Sequence, residues 1–437
     1  MIIRFSVSNY KVFKDEVVFS FVATNYDKKT REDENVTHVE APSLRLLKNA
    51  VVYGANASGK TKLIDAFAFM RYFVVNSSKD AVSSEDIDTD PFRLNTESEA
   101  SPSTFELMFL VGHRIYRYGF EVNRKKVITE WLYVQEKNKE SELFYRDEEG
   151  TLSFDKKRFA SWDLIITANL VRENALFITT LAQFNDELGI KLISFFKENI
   201  KIISGLNEAG YKGMILSKLV DSDYKKKIME LLNFADLGIM DVSRKEVKAS
   251  FETSEKVPHQ IQEMIINDIQ SQNLYTKHLA YDADHAPIGN RDFQMRKDES
   301  DGTQKFFYLT GPILESLTNG YTLIVDELDS RLHPNLVTRL ISLFNSKETN
   351  PNNAQLIFNT HNSSLLDSRL LRRDQVWFID KNMYGESRLY SLSDIKGIRK
   401  DENFAHNYIN GLYGGVPYLE DFSGLSIDKA QANENEK

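Results

Sequence analysis

The sequence predicts an α/β fold: a mostly parallel core sheet with an antiparallel β lobe and a helical insertion. Three observations carry that expectation. Near-continuous apolar runs at 321–325, 354–358 and 375–379 read as strands buried on both faces. A strand, a glycine turn and a helix follow one another between residues 48 and 77. From Phe105 to Gln135 the pattern changes to β, with a turn at Gly112-His113-Arg114 between two strand-like runs.

The elements follow in chain order. Residues 2–7 alternate and 17–21 follow a polar turn, which reads as an edge hairpin. Residues 48–53 read as a buried strand, and Leu63, Ile64, Phe67, Phe69, Met70, Phe73 and Val74 recur at helical spacing over 61–77. The region 160–236 reads as helices, with stripes at 188–196 and 225–232. A polar stretch over 247–272 precedes short strands near Leu279 and Phe293, and from Thr303 helical patterns alternate with the apolar runs. Residues 426–437 read as a loose polar tail. Neither a solenoid repeat nor a sustained heptad is visible.

Composition bounds the function. The chain of 437 residues is 41% apolar and 11% aromatic, enough for a real core. No uncharged apolar run reaches the ~18 residues needed to cross a bilayer, so no membrane partner is expected. The absence of cysteine excludes disulfides, thiolate metal sites and thiol nucleophiles, and fits a cytoplasmic location. A net charge of −9 repels polyanions, so nucleic acid stays open as a partner only through a local basic groove, with Lys191, Lys197, Lys201 and Lys225 to Lys227 the residues to line it.

Gly54-Ala55-Asn56-Ala57-Ser58-Gly59-Lys60-Thr61 satisfies G-x-x-x-x-G-K-[ST] after an apolar strand and at the start of an amphipathic helix. The glycines let backbone N–H groups turn inward around a β-phosphate, Lys60 reaches the β- and γ-phosphates, and Thr61 ligates magnesium. At the end of the 322–325 run stand Asp326, placed to hold the Mg2+ shell, and Glu327, placed to polarise the water that attacks the γ-phosphate of ATP. His333-Pro334 opens the next helix. Ser300, Gly302 and Thr303 open another helix and form a second anion site, or Ser300 simply caps that helix. One nucleotide does not need two such sites from one subunit, so the second is expected to complete a neighbour's pocket in a homodimer, with Asp329 facing the subunit boundary. Pro312 inside this helix predicts a kink or an early break. His361, after the 354–358 run, stands where it can sense the γ-phosphate. The cluster from His278 to His285 reads as a hydrated loop rather than a metal site.

Together these residues resemble the ATP-binding-cassette (ABC) ATPase heads of the RecF, SMC and OLD class, P-loop NTPases of ABC-ATPase type. The matches are Walker A (Gly54 to Thr61), the signature motif (Ser300-Asp301-Gly302-Thr303), Walker B (Asp326, Glu327), the D-loop (Asp329) and the switch histidine (His361). Residues 8–13 are similar to the family's N-terminal strand and turn. The Asp326-Glu327-Leu328-Asp329-Ser330-Arg331-Leu332-His333-Pro334 string and the ending 410–417 are similar to the stand-alone AAA-family ATP-binding proteins of phage-defence operons, RloA-like and PtuA-like. The resemblance implies ATP and Mg2+ as cofactors, a homodimer or higher oligomer, and an effector in trans, a nuclease. A RecF-like DNA-repair clamp is the alternative. It also implies ATPase halves at 1–155 and 276–425 around a mainly helical insertion at 156–275. Two departures stand out: Asp301 puts an acid inside the signature, and the Q-loop glutamine has only Gln135 and Gln183 as candidates.

Overall fold

The computed structural model describes residues 1–25, 28–40, 43–78, 86–136, 139–204, 208–245, 273–399 and 402–417. The polar stretch expected over 247–272 and the tail expected over 426–437 lie outside them. The core is a six-stranded sheet in the order Ile200–Ile203, Thr322–Val325, Gln355–Asn359, Asn49–Gly54, Val376–Lys381, Ser387–Ser391. Every neighbouring pair is parallel except the last.

Strand residues alternate in direction, so each strand feeds two cores. Ala50, Val52, Ile324, Ile357 and Ile379 join one core with the helix Lys60–Asn76. Val51, Tyr53, Leu323, Val325, Leu356, Phe358 and Phe378 join the other with the helices Asp301–Asn319 and Pro334–Asn345. That double burial is why the three runs lack polar alternation. The registers Ile203 to Val325, Val325 to Phe358 and Val52 to Asn359 bring the strand C-termini to one edge.

The expected antiparallel lobe is a seven-stranded sheet in the order Leu152–Phe154, Lys139–Arg146, Val127–Glu136, Arg114–Val122, Ser103–Val111, Ile2–Ser8, Val17–Ser20. Helix Lys60–Asn76 fills the core between the sheets, with Phe67 stacked on Phe5 at 3.8 Å and Phe73 edge-on to Phe120 at 5.4 Å. Each such phenylalanine contributes about 2–3 kcal/mol by leaving water. Buried amides tie the sheets at the opposite edge: Gln355 accepts from the Ile2 N–H at 2.7 Å and donates to the Leu47 carbonyl at 3.2 Å.

Two expectations need correction. The segment 156–275 holds the helices Ala160–Thr167, Phe177–Gln183, Glu187–Ser194, Glu208–Lys218 and Ser222–Phe234, yet Ile200–Ile203 is a strand of the core sheet. Its β-branched sequence favours a pleated, buried setting over continuation of the preceding helical stripe. The boundary at 275 also cuts the strand Leu274–Tyr281, which pairs with Ile239–Arg244 on one side and Pro287–Gln294 on the other. Pro312 does not break its helix, which runs from Asp301 to Asn319. The adjacent carbonyl of Gly311 accepts from the Tyr224 hydroxyl at 2.9 Å, so a second helix anchors this stretch. Among the described residues no helix is long and apolar enough to cross a membrane.

Candidate functional site

The glycine loop leaves the Asn49–Gly54 strand at the edge where the strand C-termini meet, and Ala57 (φ 59°) and Gly59 (φ 119°) turn it back into the Lys60–Asn76 helix. Both motif glycines are dictated by space. A Cβ on Gly54 would lie 2.4 Å from Ser58 Oγ and 2.6 Å from the Ile379 carbonyl; one on Gly59 would lie 2.8 Å from Val12. Asn56 and Ala57 stand exposed at the tip, whereas Ser58 is buried. Ser387 braces the loop from behind, its hydroxyl donating to the Ser58 carbonyl at 2.6 Å and its N–H to the Val12 carbonyl at 2.9 Å.

Lys60 folds over the loop, its ammonium donating to the carbonyls of Gly54 at 2.8 Å and Ala55 at 3.0 Å. Burial pushes this ammonium down to about 8, against the pull of Glu327, Asp326 and Asp329. Thr61 donates to Asp326 Oδ1 at 3.1 Å, joining the two motifs 265 residues apart. Asp326 is anchored by its own N–H, which donates to the Ile203 carbonyl at 2.8 Å. Glu327 is exposed and adopts φ 51°.

His361 lies just past the Gln355–Asn359 strand. Partial burial and then Lys60 lower its imidazole below the usual range, opposed by Asp329, Glu327 and Asp326. Asp329 also acts on Tyr53, whose hydroxyl is raised first by burial and then by that carboxylate. Asp329 therefore lies within electrostatic reach of Tyr53, Lys60 and His361 of its own chain. The structure brings together Gly54 to Thr61, Asp326, Glu327, Asp329 and His361.

Ser300, Gly302 and Thr303 open the helix Asp301–Asn319, which packs on the turn after Glu327. Ser300 caps the Asp301–Asn319 helix, accepting from the Thr303 N–H at 3.1 Å. A Cβ on Gly302 would meet the Arg331 carbonyl at 2.5 Å, so the helix start is seated directly on the turn after Glu327. Asp301 pairs with Arg331 at 3.2 Å. Asp301, Gln304 and Lys305 line a cleft of about 390 Å³ together with Thr61, Asp326 and Glu327.

Neither glutamine candidate reaches the edge. Gln183 donates to the Ser78 carbonyl at 3.2 Å, beyond the far end of the 17-residue helix that starts at Lys60, roughly 25 Å along its axis. Gln135 pairs in register with Ile115, which pairs with Leu110 next to Met1, at the opposite edge. The residue that follows the strand beside Asp326 is Ser204, and it lines the cleft with Thr61. Sequence reasoning also missed Asn359, which accepts from the Glu327 N–H at 2.6 Å and donates to Asp326 Oδ1. Its signal was a polar residue closing an apolar run beside the acid-bearing strand. Lys305, which donates to the Glu327 carbonyl at 2.7 Å, gave none.

The residues fit a magnesium nucleotide. The loop has room only for glycine, Ser58 Oγ is buried without a hydrogen-bond partner, and Thr61 and Asp326 offer the few hard oxygens that magnesium accepts beside phosphates. No metal-binding group of three or more His or acidic side chains assembles among the described residues, and His278 instead pairs with Glu299 at 2.6 Å.

A Walker strand, its glycine loop and an acid-bearing strand separated from it by one strand define a P-loop NTPase fold. The chain belongs to the family described as "AAA domain, putative AbiEii toxin, Type IV TA system", which matches residues 50–367. No curated protein matches it. Among solved structures it is similar to the SMC head domain from Thermotoga maritima, at 14% identity and TM-score 0.40 over 89% of this chain and 98% of that one. It is also similar to an SMC head bound to the C-terminal winged-helix domain of ScpA, at 12% identity and TM-score 0.37 over 89% and 97%.

Proposed function

We propose that this chain binds and hydrolyses ATP as a homodimer and controls a partner effector, a nuclease acting in trans, in bacterial anti-phage defence. The observation that carries the enzymatic part is the bond from Thr61 to Asp326, with Lys60, Glu327 and His361 grouped around it. Backbone N–H groups of the loop and the start of helix Lys60–Asn76 hold the phosphates. Lys60 exchanges its two carbonyl partners for phosphate oxygens, and Thr61 and Asp326 hold the metal. Mg2+, when bound, offsets the charge that develops on the transferred phosphoryl group. Glu327 takes the proton of the attacking water, and His361 hydrogen-bonds the γ-phosphate.

Ser300, Gly302 and Thr303 serve the nucleotide of a second copy, a reading supported by the exposure of Ser300 at the start of its helix. Helix Glu208–Lys218 follows the strand beside Asp326, and its Lys212 lies 5.2 Å over Tyr308 of the signature helix, so the helical segment can report nucleotide state to a partner. The family description, which names a toxin of a toxin–antitoxin system, supports the defence role. The RecF-like alternative loses support because Lys225 is paired with Asp241 at 2.7 Å, Lys201 lies 3.8 Å from Glu315 and Lys191 lies over Tyr116.

Phosphate release and sedimentation test the proposal. Lys60→Ala should abolish nucleotide binding, while Glu327→Gln should keep it, slow turnover by roughly 10²–10⁴-fold and trap an ATP-dependent dimer. Wild-type turnover in Glu327→Gln would remove the role given to this carboxylate. A salt-sensitive, ATP-dependent affinity for duplex DNA would instead favour the repair clamp.

A further inference from the structure

Glu327 carries a side chain in a backbone region that disfavours one (φ 51°), and its two peptide groups are pinned by different parts of the fold. On the N-terminal side, its N–H donates to the side chain of Asn359, which is buried at the end of a core strand. On the C-terminal side, its carbonyl accepts from the Lys305 ammonium at 2.7 Å and from the Ser330 N–H at 3.1 Å. The first anchor belongs to the sheet. The second belongs to the helix that begins at Ser300.

That helix meets the same turn at two further points. Gly302 is pressed against the carbonyl of Arg331, itself at φ 63°, and Asp301 pairs with the Arg331 guanidinium at 3.2 Å. The first two turns of the helix therefore touch the 327–331 turn at both its ends. A small displacement of the helix start is passed on to the turn, because a close-packed contact against a carbonyl cannot be compressed.

We infer that Lys305 is a positioning residue for Glu327, through which the helix that begins at Ser300 sets the orientation of this carboxylate. The inference rests on the role given to Glu327 above. A ligand presented to Ser300 by a second copy acts on a helix one turn from Lys305, so each cleft responds to occupancy of the other. Coupling of that kind is reciprocal in binding. In this scheme Lys305 acts through the Glu327 carbonyl and biases a backbone conformation.

The experiment compares Lys305→Met, which keeps the aliphatic stem, and Lys305→Arg, which keeps a donor, with the wild-type chain. The readouts are single-turnover ATP hydrolysis, equilibrium ATP affinity, and hydrogen exchange over residues 326–331 in the nucleotide-free protein. The expected result for Lys305→Met is a rate roughly ten- to a hundredfold lower, a fraction of what a general base supplies. Its ATP affinity should stay within about threefold of wild type, because the phosphate loop is untouched. Exchange over 326–331 should rise, and Lys305→Arg should recover most of both effects. Wild-type hydrolysis by Lys305→Met overturns the inference. If the wild-type chain does not hydrolyse ATP, the functional proposal fails by itself and exchange decides: faster exchange over 326–331 supports the clamp, and unchanged exchange overturns it.

Discussion

Replacing Asn359 by leucine tests the geometry of the site through stability as well as turnover. The side chain is 1% exposed, and leucine keeps its branched shape and number of heavy atoms, so the change removes polarity while adding only the bulk of two methyl groups over the amide. It deletes the acceptor of the Glu327 N–H and a donor to Asp326, while the backbone bonds of residue 359 remain. An amide left without a partner costs about 1–3 kcal/mol, and a hydrogen bond to a carboxylate contributes about 1.5–3 kcal/mol. Partial rehydration at the half-buried Asp326 trims the sum, which leaves a loss of about 3 kcal/mol. At a slope of about 3 kcal/mol per molar urea, the unfolding midpoint should fall by about 1 M. The freed Glu327 should relax from its left-handed backbone, a conformation that costs about 1–3 kcal/mol to hold, and hydrolysis should fall at least tenfold with ATP affinity nearly unchanged. A midpoint within about 0.2 M of wild type, together with full turnover, would refute the reasoning.

Other substitutions separate the parts of the site. Gly302→Ala should destabilise despite the gain of about 1 kcal/mol that alanine normally brings to a helix, because its Cβ would stand 2.5 Å from the Arg331 carbonyl; a higher melting temperature would show that the turn yields freely. Ser300→Ala should lose about 1 kcal/mol of stability with the cap, whereas Ser300→Asp should keep the cap, repel phosphate and abolish ATP-dependent dimerisation in sedimentation. A dimer of Ser300→Asp as tight as wild type would count against cross-subunit use of this residue. Thr61→Val should retain ATP binding in the absence of magnesium and lose the magnesium-dependent gain in hydrolysis, read from a metal titration of phosphate release.

The parallel sheet was legible because double burial writes itself as apolar runs, and Walker A because a Cβ at either of its glycines would collide with its surroundings. Asp326 and Glu327 were legible as strand-end acids. The strand Ile200–Ile203 was not: four residues at a sheet edge carry too short a period to stand out beside the helical stripe that precedes them. Ser204 stayed hidden for the same reason, since only the pairing of that strand with Thr322–Val325 places it beside Thr61. Asn359 and Lys305 act on backbone atoms of a distant turn, a relation that leaves no pattern in local sequence. The continuity of the helix through Pro312 was set by packing against Tyr224, which local propensity does not contain.

The strand that carries the glycine loop is flanked by Gln355–Asn359 on one side and Val376–Lys381 on the other, and Ser387 braces the loop itself. During synthesis the loop therefore leaves the ribosome hundreds of residues before its supports do. A nascent chain must carry an unfinished nucleotide pocket until the last strands emerge, and such non-local pairing is slow to form. Translation arrest ahead of residue 376 would release a polypeptide with its first sheet able to pair and its glycine loop still lacking the strand and the Ser387 hydroxyl that brace it.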